Sequence, residues 1–206
     1  FINDSYIDIL KKINLENLEL ALITNNSVFP EKWIDLILKV KTLNLHVSID
    51  GVYEVGEFVR SGMNFKKFTE NLIKWKKLSD ENSNIDIKFN FVVHSLNILN
   101  LKPTIKYLEE LGFTIENKNI KKQKLEIDFL KEPYYINLSY LPDLLKDIIE
   151  KKLDFQLNGK RDMIVDFMYS NKHDKKIMKT FFKYCMFLEK KNSLPKECEF
   201  ILNHAL

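Results

Sequence analysis

Three polar side chains cluster in the run Leu45-His-Val-Ser-Ile-Asp-Gly51 and its sequel Glu57-Phe-Val-Arg60. Ser48 and Asp50 lie two positions apart, so on a strand they point the same way. A hydroxyl and a carboxylate at a strand end can hold ribose hydroxyls or an ammonium group. The same residues also suit plainer work: lumen packing or a backbone bond for Ser48, an Asx-turn before Gly51 for Asp50. Arg60 and Arg161 are the only arginines, beside 30 lysines. Where lysine serves almost everywhere, an arginine suggests a need for its planar fork, such as a two-pronged grip on a carboxylate. A surface ion pair with Glu57 or Glu54 would use it as well. Upstream, Thr24 and Asn25 end an apolar run and can bond ribose or adenine edges, or simply form a turn. His46, Asn90 and His94 complete the set of polar side chains near strand ends.

These residues need a scaffold, and alternation supplies it. Leu45, Val47 and Ile49 alternate with His46, Ser48 and Asp50; Ile85, Ile87, Phe89, Phe91 and Val93 alternate with Asp86, Lys88, Asn90, Val92 and His94. Period two predicts strands with one apolar and one polar face. A third strand is expected over Leu18 to Thr24. Helices are expected over Ser5 to Ile13, from Pro30 with Trp33, Ile34, Ile37, Leu38 and Val40 inward, from Asn64 through Leu78, and from Asn97 to Leu111, with Gly112 as its stop. Between Gly51 and Gly62 a loop or short helix fits. The pieces FTIENKNI, KLEIDFL and YYINLSYL within 113–141 read as strand-like. After Pro142 the chain reads as about four short helices.

Strand and helix in alternation predict an α/β parallel sheet, with function at the carboxyl ends of its strands. A doubly wound sheet covers both faces with helices and reads apolar on both. A polar face fits an open barrel around a polar ligand, or a sheet with one solvated face.

Composition narrows the classes. Apolar residues make up 45% of the 206, enough for a sizeable core. The net charge of +3 is too balanced for a nucleic-acid footprint. No run is apolar enough for a membrane span. Cys185 and Cys198 are too far apart for a close-spaced metal motif, and a reducing cytoplasm is their simplest setting. There is no GxGxxG or P-loop, no HExxH, no Cys/His cluster and no GxSxG elbow.

The runs Leu22-Ile-Thr-Asn-Asn-Ser27, Leu45-His-Val-Ser-Ile-Asp-Gly51 and Glu57-Phe-Val-Arg60 resemble consecutive pieces of the radical S-adenosylmethionine (SAM) superfamily. Many members carry TNG or TNL after the third barrel strand, SIDG at the end of the fourth, and an arginine further on. Phe65 to Asn71 resembles the helix that follows. A weaker likeness runs through Lys102-Pro103 to Leu141-Pro142, and Phe182 to Leu188 resembles the small tail called a twitch domain. The resemblance implies an open (β/α)6 TIM-like barrel. Residues 1–141 would hold strands three to six, and 142–206 a mostly helical, twitch-like tail.

It also implies roles. Thr24, Asn25, Ser48 and Arg60 would bind SAM, Arg60 through the methionyl carboxylate, and Asp50 would face the substrate side as the candidate catalytic residue. The family cleaves SAM reductively with an electron from a 4Fe-4S cluster, fed by a reductant such as a flavodoxin or ferredoxin, and abstracts hydrogen from substrate. Its cluster-binding CxxxCxxC and its GGEP segment are absent from the sequence. The expectation is therefore the C-terminal portion of such an enzyme, with strands one and two outside this chain and no competence on its own. The alternative is a degenerate barrel acting as a non-enzymatic binding or interaction module.

Overall fold

The computed structural model describes residues 8–115, 124–153, 159–190 and 192–205. Four strands form one sheet in the order β1 (Glu19–Thr24), β2 (Thr42–Ser48), β3 (Ile85–Val93), β4 (Leu125–Phe129). All three neighbouring pairs are parallel. The chain is thus mixed α/β, with sequential strands side by side, as right-handed crossovers of helical length allow.

The eight α-helices whose bounds lie within the described residues are numbered in chain order. Residues 31–33 form a 3-10 turn that runs into α1 (Ile34–Ile37). Trp33, Ile37 and Val40 are buried there, whereas Leu38, expected inward, is exposed. Between Gly51 and Gly62 lies the short helix α2 (Tyr53–Val59). Asn64 caps α3 (Phe65–Glu81), its Oδ1 accepting the Lys67 N–H at 2.8 Å. A 3-10 turn over Ile98–Asn100 leads into α4 (Leu101–Glu110), and Gly112 ends it with φ +83°. Four helices follow Pro142: α5 (Asp143–Lys152), α6 (Lys160–Met168), α7 (Lys175–Glu189) and α8 (Lys196–His204).

One strand expectation is overturned. YYINLSYL is not a strand but two 3-10 turns, Tyr134–Ile136 and Leu138–Tyr140. Asn137 separates them, its Oδ1 accepting both the N–H and the hydroxyl of Ser139. Of the three strand-like pieces, KLEIDFL supplies β4, and FTIENKNI lies mostly outside the described residues. The helix expected over Ser5 to Ile13 also lies partly outside them; residues 8–10 are helical.

The faces of the sheet differ as alternation requires. Leu43, Leu45, Val47 and Ile49 are fully buried against the helices, with Phe89 and Phe91 of β3 beside them. Trp75, Phe68 and Leu72 of α3 close this core. Leu145, Ile164, Phe181, Cys185 and Cys198 belong to the same apolar cluster, so the helical tail shares one core with the sheet. The opposite face carries Asn44, His46, Ser48, Asp86, Lys88 and Asn90, all half-buried. Charges pair across it: Lys124 with Asp86, Lys88 with Glu126 at 3.7 Å, and His46 with Glu126 at 3.8 Å. Four parallel strands are present; a closed circle of six strand-helix repeats is not among the described residues. No helix among them is long and apolar enough to cross a membrane.

Candidate functional site

At the carboxyl end of the sheet the turns after β1 and β2 are each held by side chains. After β1, Thr24 Oγ1 accepts the Asn26 N–H at 2.9 Å. Asn25 Oδ1 accepts both the N–H and the hydroxyl of Ser27. Both residues thus act as turn formers, and the Nδ2 group of Asn25 is not used in that turn. Asn26 is fully buried at φ 57°, a backbone region asparagine tolerates. Its Nδ2 donates to Phe68 O at 2.8 Å, while Asn71 Nδ2 donates to Asn26 O at 2.9 Å. This exchange ties the β1 turn to α3.

After β2, the Asp50-Gly51-Val52 turn is clamped from the far side of β3. Asn97 Nδ2 donates to Asp50 O at 3.0 Å, and Asn100 Oδ1 accepts the Val52 N–H at 2.7 Å. Gly56 of α2 packs so closely that a Cβ there would lie 2.6 Å from the Gly51 carbonyl oxygen. Tyr53 follows at φ 54°, rare for a bulky side chain, with its ring against Phe65 and Tyr107.

These turns place the polar side chains. Thr24, Asn25, Ser48 and Arg60 line one cavity of about 360 Å³, together with Leu22, Ile23, Leu45 and Trp75. A larger cavity of about 730 Å³ adjoins it, shares Asn25 and Arg60, and extends over Ser27, Ser61, Asn64 and Lys67. Both volumes suit small-molecule sites, typically about 300–1,000 Å³. Arg60 Nε donates to Asp50 Oδ2 at 2.5 Å. Its ion-pair partner is therefore Asp50 and neither Glu54 nor Glu57; Glu57 Oε1 instead accepts the Phe65 N–H at 2.7 Å. The pair with Asp50 engages Nε only, and the two Nη nitrogens have no hydrogen-bond partner among the described residues.

Buried side-chain oxygens near this end also lack a partner among the described residues: Asn26 Oδ1, Asp50 Oδ1, Asn90 Oδ1 and Ser95 Oγ. Asn90 stands opposite Ser48 in the β2–β3 register. Buried acceptors left unbonded cost free energy, and a donor on a ligand would recover it.

His94 is buried at the end of β3, and its Nδ1 accepts the Leu96 N–H. Burial pushes its pKa down to about 4, against a smaller upward pull from the Asp50 carboxylate. It stands neutral, as a structural acceptor. His46 lies on the charged open face, away from the turns.

The cysteines do not fit an iron-sulfur cluster. Cys185 and Cys198 are buried in the core, and burial pushes the Cys185 thiol up to about 12 and the Cys198 thiol further in the same direction. Cys198 Sγ donates to Leu96 O at 3.2 Å. Thiolates are the metal ligands, and these environments oppose them. Among the described residues no three His, Cys, Asp or Glu side chains group as metal ligands.

The residues fit a nucleoside-like ligand better. Leu22, Leu45 and Trp75 give an apolar wall, Ser48, Thr24 and Asn25 give hydroxyl and amide groups, and Arg60 offers free donors for a carboxylate. Asn26, Asn97 and Asn100, which hold the turns, carry no sequence signal beyond being asparagines near strand ends. Comparison with family models, with curated proteins and with solved structures found no match to this chain.

Proposed function

We propose that this chain is the C-terminal portion of a radical SAM enzyme, and that its four parallel strands are strands three to six of an open (β/α)6 barrel. The observation that carries the reading is the convergence of Thr24, Asn25, Ser48 and Arg60 on one cavity at the carboxyl end of the sheet. That is where parallel α/β folds bind ligands. Arg60 would hold the methionyl carboxylate through its Nη groups while Asp50 fixes the guanidinium by Nε. Ser48, Thr24 and Asn25 would bond the ribose and adenine edges. On this reading Asp50 Oδ1, buried and unbonded among the described residues, would face the substrate side.

When bound to a reduced cluster, SAM supplies a radical that abstracts hydrogen. On this reading the cluster ligands lie outside this chain, and the core placement of both its thiols supports that. What this chain contributes is binding, orientation and exclusion of water. The second reading, a binding or interaction module without catalysis, is favoured by the same core placement of the thiols.

Equilibrium binding tests the site. SAM should bind the 206-residue chain saturably, and Arg60→Lys should weaken it about tenfold, the worth of one charge-assisted hydrogen bond. Methylthioadenosine, which lacks the carboxylate, should bind both forms alike. An unchanged SAM dissociation constant in Arg60→Lys removes the reading. Cleavage of SAM under reducing conditions by the chain joined to a cysteine-bearing segment separates enzyme from module.

A further inference from the structure

A third cavity, of about 590 Å³, lies where α4, α5 and α8 meet, and four lysines line it: Lys102, Lys151, Lys152 and Lys196. Glu197 is the one carboxylate among the described lining residues, and it already accepts from Asn100 Nδ2 at 3.4 Å. Lys151 and Lys152 close the last turn of α5, where a cation complements the helix dipole. Lys102 and Lys196 are the opposite case. They occupy the first turns of α4 and α8, where the dipole opposes positive charge.

Neither helix has a side-chain cap hydrogen bond, and the first turn of α8 carries Glu197 and Glu199. Asn100 stands at the cap position of α4; its Oδ1 accepts the Val52 N–H and, at 3.3 Å, the Thr104 hydroxyl, but no backbone N–H of that helix. The residue before α8 is Pro195, which has no capping group. Four lysines and the first turn of α8 thus border one concavity. The floor is apolar, formed by Ile98, Leu99 and Pro103.

We propose that this cavity binds a small organic diphosphate. Lysines act as point charges that suit phosphate, whereas the fork geometry for a single carboxylate would call for arginine, and neither arginine is here. Several cations around one concavity favour an anion of more than one charge. The apolar floor takes the organic body. The concave shape and the chain's near-neutral balance do not make the continuous basic stripe a polynucleotide needs.

Isothermal titration of the 206-residue chain with pyrophosphate, dimethylallyl diphosphate, orthophosphate and sulfate at equal ionic strength tests this. Both diphosphates should bind saturably and about tenfold tighter than orthophosphate or sulfate, a difference of one decade in dissociation constant. The ester should bind at least as well as pyrophosphate. Lys152→Glu and Lys196→Glu should each abolish that preference, while Lys183→Glu, on the exposed side of α7, and Arg60→Lys should leave it unchanged. The Arg60 control separates this site from the proposed SAM site. Circular dichroism checks folding, and Lys152→Gln with Lys196→Gln replaces any reversal variant that unfolds. Equal affinity for sulfate and pyrophosphate, rejection of the ester, or equal loss in Lys183→Glu would overturn the proposal.

Discussion

The Arg60 side chain is 27% exposed and that of Asp50 16%, so their ion pair sits between a surface bridge and a buried one. A surface pair contributes little, whereas stranding one partner of a buried pair is costly. Asp50 already has one acceptor unbonded, so losing Arg60 would leave the whole carboxylate without a donor. Arg60→Ala should therefore destabilise the fold by about 1–3 kcal/mol in urea unfolding. Asp50→Asn in the same background should recover part of that loss, because an amide is cheaper to leave unpaired than a charge. Additive effects in the double-mutant cycle would mean the pair is not coupled.

His94 adds a pH-dependent term. Its folded pKa, about 4, lies below the ordinary 6.5, so the native state holds the neutral form while the unfolded chain takes up a proton. Its contribution is full above pH 6.5 and is lost progressively as pH falls toward 4. Between pH 7 and pH 5 stability should drop by about 2 kcal/mol on this account. His94→Asn, which keeps an acceptor for Leu96, should flatten that segment of the urea-midpoint profile. An unchanged slope would assign the pH dependence elsewhere. In the sequence, spacing alone put Ser48 and Asp50 on one side of a strand and singled out Arg60 by rarity. The Arg60–Asp50 pairing was not legible, since Glu54 and Glu57 are nearer along the chain and the bend at Gly51 decides which carboxylate the guanidinium meets.

Elements are where period and tertiary contact part company. The strands β2 and β3 were legible because one face is buried by helices and the other is not, so alternation survives in the sequence, whereas β1 was legible as a short apolar run. YYINLSYL carries apolar alternation as well, yet Asn137 bonds its own neighbour Ser139 and breaks the segment into 3-10 turns. Local side-chain bonds of this kind compete with a ladder. Helix α2 shows a different limit, because its place depends on one atom. Gly56 lies against the Gly51 carbonyl, and an added methyl would stand 2.6 Å from that oxygen. Backbone cannot yield as a flexible side chain can. Gly56→Ala should thus cost about 1–3 kcal/mol through overpacking, despite the better helix propensity of alanine. Thermal unfolding measures it; a stabilised variant would mean that α2 shifts freely. The same displacement would pull Asp50 and Arg60 apart, so any ligand bound at the strand ends should weaken with it.

At the scale of the molecule, the two edges of the sheet are unlike. On β4, Lys124 O accepts from Phe89, so the next carbonyl, that of Leu125, faces outward, and there Lys160 Nζ donates to it. A buried lysine thus occupies that edge. On β1 the open side carries Ile23, 77% exposed, beside the half-buried charged face. An edge with no partner strand among the described residues and with an exposed apolar side chain is a template for another strand. The apolar core itself is closed by α3 and the tail helices, so folding of the 206-residue chain does not depend on covering β1, but its solution behaviour does. The chain should fold cooperatively and then self-associate through this edge, with apparent mass rising with concentration in sizing chromatography with light scattering. Ile23→Lys should restore a monomer, because an ammonium on an edge strand repels its copy and keeps its water. Glu19, on the same face of the strand and already paired with Lys41 at 2.8 Å, tells where a second charge would be redundant. Glu19→Gln should change association little beside Ile23→Lys. A concentration-independent monomer of the parent chain would mean that β1 is covered by the chain's own residues, and it would favour the stand-alone binding module over a portion of a larger barrel.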